Sequence, residues 1–135
     1  MAEISPNDVT TSSTGNAFSV DIQVTISGGD TGVNRVAITA PGSVGVPAVT
    51  EVQVDGSTVA FTDNSSGNAI SVDLNTKVTA SSKLTILFTA DAPTTQDLTG
   101  VDFTSTVDDS GTGDAAQSTT EGMATAMQAI TIVGM

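Results

Sequence analysis

Carboxylates carry most of the reactive chemistry available to this chain, because it contains no histidine, cysteine, tyrosine or tryptophan. Asp108, Asp109 and Asp114 fall within one Gly-, Ser- and Thr-rich stretch. Carboxylates among loop carbonyls are the hard oxygen ligands that a calcium ion takes. Asp30 and Asp63 stand in turns that an end of the fold could bring to the same place. The Asp-x-Asp-x-Asp-Gly order of an EF-hand loop is missing, and Asp is favoured in turns for its own local hydrogen bonding. Asp108, Asp109 and Asp114 are therefore a candidate calcium site set against ordinary turn chemistry.

Without imidazole or thiol, general-base or nucleophilic work would fall to carboxylates or to Lys77 or Lys83. Asp108-Asp109 has the residue types of a glycosidase acid pair, but such acids normally work beside aromatic sugar platforms. The four phenylalanines all keep step with the apolar side of a strand instead. The chain is read as non-enzymatic, with no cofactor apart from the calcium candidate. The same lack of Tyr and Trp weighs against a glycan ligand, which leaves a calcium-dependent carbohydrate-binding module as one alternative.

The second candidate site is an apolar cluster near the C-terminus. Met123, Met127 and Met135 join Ile130, Ile132 and Val133 in a chain with four methionines in all, and Met is adaptable packing material at contact surfaces. Helical spacing links Met123, Ala126, Met127 and Ile130, but residues 129–133 read as a strand. Segment 123–135 is thus expected to be either a closing core strand or an assembly contact that pairs with a neighbour's sheet edge.

Period-two alternation accounts for the elements that hold these residues in place. Phe18, Val20, Ile22, Val24 and Ile26 form the longest alternating run and the expected central strand. Shorter runs follow at Val36, Ile38 and Ala40, at Ile70, Val72 and Leu74, at Leu84, Ile86 and Phe88, and at Val101, Phe103, Ser105 and Val107. The strand at 84–88 is apolar at Leu87 too, which predicts burial of both its faces. Residues 4–10 read as one edge strand, where Pro6 does least harm. Around Asp55-Gly56 the pattern predicts a type I′ hairpin. In it Val54 faces Ser57, Val52 faces Val59 and Thr50 faces Phe61. Its apolar side (Val52, Val54, Val59 and Phe61) is expected to lie across from the 18–26 strand. The sum is a single all-β domain over 1–135, an antiparallel sandwich of about eight strands.

Charge and composition narrow the partners. Fifteen acidic residues against three basic ones give a formal charge of −12, which disfavours nucleic acid and anionic membrane. No run approaches the roughly 18 apolar residues of a membrane-spanning helix. Met1-Ala-Glu-Ile-Ser-Pro6 has neither the basic nor the apolar region of a secretory signal. The chain is therefore expected to be either a module cut from a longer exported protein or a complete protein never sent through a secretion channel. Its Met1 start and lack of a His tag favour the second.

Ile4-Ser-Pro-Asn7, Val36-Ala-Ile38 followed by Pro41, and Asp102-Phe-Thr-Ser-Thr-Val-Asp108 resemble immunoglobulin-like modules of prokaryotic surface proteins and decoration domains of tailed-phage virions. The resemblance covers most of the chain and is one of style, without the Cys–Trp–Cys core of antibody domains. It implies an immunoglobulin-like β-sandwich with a display, adhesion or reinforcing role and no catalytic residue. Some such modules carry a Lys–Asn isopeptide bond, but Lys77 and Lys83 flank a turn and read as solvated cations. The setting expected first is a virion surface, as a capsid decoration or head-fibre protein. Its partners would be the capsid shell or neighbouring subunits, a second copy of this chain included. The alternative is an adhesion or spacer module of a bacterial or archaeal cell-surface protein, placed outside the cell.

Overall fold

Asp55 and Gly56 take φ values of +49° and +85°, the left-handed pair that a two-residue type I′ turn demands. The computed structural model describes residues 2–6, 8–24, 32–79, 82–108 and 124–133. Among them lie eleven strands and no helix. They are β1 (Ala2–Ser5), β2 (Asp8–Thr10), β3 (Asn16–Gln23), β4 (Val33–Thr39), β5 (Ala48–Val54), β6 (Ser57–Thr58), β7 (Phe61–Asp63), β8 (Ala69–Val78), β9 (Lys83–Ala90), β10 (Asp97–Asp108) and β11 (Ala124–Val133).

The strands form two sheets, one ordered β1-β3-β9-β5-β6 and the other β2-β11-β10-β4-β8-β7. Every neighbouring pair is antiparallel except β2 and β11, which run parallel. The count exceeds the expected eight or so in part because two expected strands each divide between the sheets. The 4–10 strand breaks at Pro6, which lacks a ladder N–H, so β1 edges one sheet and β2 the other. The return arm of the hairpin breaks after Val59. Its first part, β6, stays beside β5, while β7 crosses to pair with β8.

The hairpin register is the expected one where it persists. Val54 pairs with Ser57, and the Val59 N–H donates to the Val52 carbonyl at 2.9 Å. Phe61, however, lies opposite Leu74 on β8 and not opposite Thr50. The hairpin also shares a sheet with β3, two places away, so it does not lie across from it. The middle of that sheet is β9, flanked by β3 and β5. The outer face of β9 is mixed, with Leu87 half-buried and the buried Thr85 hydroxyl donating to Asp21 Oδ1 at 2.8 Å.

Alternation puts the core where the two inner faces meet. Phe18, Val20 and Ile22 on β3, Leu84, Ile86 and Phe88 on β9, and Val52 on β5 are buried on one side. Val36 and Ile38 on β4, Ile70, Val72 and Leu74 on β8, and Phe103 and Val107 on β10 are buried on the other. Each such side chain contributes about 1.5–3 kcal/mol on leaving water. Phe18, Phe88 and Phe103 meet at the centre, with ring centroids 5.4, 5.9 and 6.1 Å apart. Those offset and tilted contacts bind the two layers to one another.

Candidate functional site

Of the calcium candidate Asp108, Asp109 and Asp114, only Asp108 lies among the described residues. The backbone of Asp108 ends β10 directly opposite Arg35. Asp109, Asp114 and Asp30 lie outside the described residues. Asp63 ends β7, which is separated from β10 by β8 and β4. That is three strand spacings, about 14 Å, so Asp63 is not delivered to Asp108. The Asp63 carboxylate instead accepts the Ser65 N–H at 2.9 Å, the turn use of an aspartate. No group of three His, Cys, Asp or Glu side chains that could hold a metal occurs among the described residues.

Of the apolar C-terminal residues, Met127, Ile130, Ile132 and Val133 lie on β11, while Met123 and Met135 lie outside the described residues. Register places Met127 opposite Thr104, Ile130 opposite Val101 and Ile132 opposite Asp97 on β10. The other edge of β11 carries β2 at Thr131, Ile132 and Val133.

The most developed polar constellation is one that alternation does not reveal. Asp73 occupies a nominally outward position on β8, yet its side chain is only 1% exposed. Arg35, its cross-strand partner, reaches over it and donates from Nε to Oδ1 at 2.6 Å and from Nη2 to Oδ2 at 2.9 Å. Asn64 Nδ2 donates to the same Oδ2 at 3.1 Å. Both carboxylate oxygens are thus engaged and covered, which suits a structural anchor and leaves no approach for a substrate proton. The signal available in the sequence was the single arginine of the chain. Lys83 is exposed as expected, whereas Lys77 is half-buried, with its Cβ close to Gly32.

The ends of the sandwich are the remaining candidate surface. At one end, four connections are tied to each other. Asn68 Nδ2 donates to the Pro41 and Val44 carbonyls at 3.2 and 2.9 Å. Gly45 N–H donates to the Asp91 carbonyl at 3.0 Å and Gly15 N–H to Asp91 Oδ1 at 2.7 Å. Ser12 N–H donates to the Pro93 carbonyl and Ala92 N–H to that of Ser13, at 2.9 and 2.8 Å. A Cβ at Gly45 would stand 3.0 Å from the Asp91 Cβ, so any larger residue there would press the Asp91 loop outward by a few tenths of an ångström. Beside it Val46 is 68% exposed on a loop fixed at both shoulders.

The chain enters and leaves by opposite ends. Ala2 pairs with Ile22 at the end bearing the Asp55-Gly56 turn, where Asp55 N–H meets the Lys83 carbonyl at 2.8 Å. Val133 pairs with Thr10 at the end capped by the tied loops. The ten residues of β11 run about 30 Å between them at the usual strand rise.

Solved structures share this architecture. The domain D2–D3 fragment of the major pilin SpaD from Corynebacterium diphtheriae aligns over 95% of this chain and 50% of its own, at 16% identity and a TM-score of 0.57. A variant of BcpA, the major pilin subunit of Bacillus cereus, aligns over 99% of this chain and 39% of its own, at 10% identity and a TM-score of 0.57. A cohesin module from a Clostridium perfringens family 33 glycoside hydrolase aligns over 99% of this chain and 96% of its own, at 15% identity and a TM-score of 0.50. This chain spans half or less of those pilin structures. No family model and no curated protein sequence matches it. At these identities the likeness is one of fold: an all-β immunoglobulin-like sandwich of the kind seen in pilin and cohesin modules.

Proposed function

We propose that this chain is a non-enzymatic structural module of a prokaryotic cell surface, a spacer or adhesion unit within a fibre or stalk. The observation that carries this reading is the opposite placement of the first and last strands, Ala2 at one end and Val133 at the other. Such polarity lets modules follow one another in line, each adding about 30 Å. The fold likeness to major pilins, which are themselves longer than this chain, supports the same setting. It is preferred to virion decoration, because the pilin and cohesin neighbours give no support to a capsid.

Residues 1–135 act as one module, and segment 123–135 serves chiefly as its closing strand, since β11 is paired along β10 and again by β2. Partners are adjoining protein modules, which meet a surface of strongly negative charge. That charge keeps crowded copies soluble. The calcium-dependent sugar-binding alternative is tested separately, by glycan binding that disappears in EDTA.

Immunogold labelling with antibodies to the folded domain decides the location. Label on fibres or envelopes of intact source cells is expected. Label confined to phage particles or to the cell interior would overturn the reading.

A further inference from the structure

Opposite exits also determine how tension enters the fold. A pull on the two termini draws the Ala2 end one way and the Val133 end the other. β2 lies parallel to β11, with Asp8 beside Thr131, Val9 beside Ile132 and Thr10 beside Val133. Parallel neighbours whose outer connections leave in opposite directions are stressed along their length. The hydrogen bonds of a parallel pair run from strand to strand on a slant, so a pull along the strands loads the bonds of this ladder together rather than one after another.

The strands next in line are stressed in the same sense. β1 lies antiparallel along β3 from Ala2 to Ser5 and is pulled along its own axis. β11 likewise lies along β10, from Ala124 opposite Val107 to Ile130 opposite Val101. The crossing at Pro6 puts β1 and β2 on different sheets, so freeing the first does not free the second. Val9 is 7% exposed and belongs to the core cluster. Just beyond β2, the Ser12 N–H is held by the Pro93 carbonyl.

We infer that the β2–β11 pair is a mechanical latch. It bonds the N-terminal segment directly to the C-terminal strand, so that tension along the chain passes between them in shear. The biological use of the latch rests on the fibre reading above; the latch itself rests only on strand direction and register.

Single-molecule force spectroscopy on the full chain tests it. One form carries handles at both termini. The other carries a handle at the C-terminus and one on Ser12→Cys, a unique thiol in a chain without cysteine. Ser12 is exposed and adjoins the Thr10–Val133 end of the ladder, so pulling there peels β2 from β11 progressively. With S12C melting like the parent, terminal pulling is expected to need severalfold more force at the same loading rate. Equal forces, or a lower force for terminal pulling, overturn the latch. A second comparison removes general stability from the result. Val9→Ala is expected to lower the terminal unfolding force more than Leu74→Ala at matched chemical stability, and equal losses overturn the proposal. An intracellular location would cancel the use of the latch while leaving both force measurements intact.

Discussion

Arg35 and Asp73 stand opposite one another on β4 and β8, and the guanidinium closes over the carboxylate with contacts of 2.6 and 2.9 Å. The carboxylate is almost wholly removed from water, whereas the arginine stays 30% exposed. Removing the arginine therefore leaves a buried charge without its counter-charge, which typically costs about 3–5 kcal/mol. Arg35→Met is expected to lose that much in urea denaturation, and Arg35→Met with Asp73→Leu to recover most of it. A single variant as stable as the parent would show that the pair anchors nothing.

Asn64 supplies a third hydrogen bond to the same carboxylate. A neutral donor to a charged acceptor contributes about 1.5–3 kcal/mol. Asn64→Ala should fall in that range in the parent and cost much less in the Asp73→Leu background. A double-mutant cycle measures the difference, and full additivity would separate Asn64 from the cluster.

The Asp55-Gly56 turn rests on backbone angles that only glycine adopts freely at the second position, where φ is +85°. A Cβ there meets nothing within 4 Å, so any cost of Gly56→Ala is conformational and not steric. The loss should exceed about 1 kcal/mol. An unchanged denaturation midpoint would mean that the turn can switch type without penalty.

Phe88 and Phe103 are each at most 1% exposed and, with Phe18, join the layers. Truncating either to Ala should cost about 3–5 kcal/mol, the largest single-site losses expected in the core. By contrast, Val46→Ser on the exposed loop should stay within about 0.5 kcal/mol of the parent. Thermal unfolding of the three variants side by side checks the ranking.

The tied loops give a local prediction. Asn68→Ala removes the donor to the Pro41 and Val44 carbonyls, while the Ala40 N–H bond to the residue-68 carbonyl stays. Amide exchange at Val44 and Gly45 should accelerate with the core strands unchanged. Acceleration across the whole molecule would mean that the loops and the core open together.

Period-two reading located most strands, because one buried face imposes alternation directly on sequence. It located the Asp55-Gly56 hairpin because that turn is decided by two adjacent residues. It did not foresee which sheet each strand would join. Phe61 has the same parity whether it faces Thr50 or Leu74, so nothing local marks the crossing after Val59. Asp73 and Arg35 were invisible for a related reason: alternation assigns both to the solvent side and carries no information about a cross-strand partner that seals one of them off. The parallel placement of β2 beside β11 joins residues more than a hundred positions apart, beyond the reach of any local pattern.

The two crossings between sheets have one more effect. β1 runs into β2 along one side of the sandwich and β6 into β7 along the other, so the same short stretches hem both layers. None of these four border strands exceeds four residues, and short borders resist recruitment of foreign strands. They cover β11 only at Thr131–Val133 and β5 only at Gln53–Val54, so any lateral pairing of copies would fall to the remaining length of those two strands.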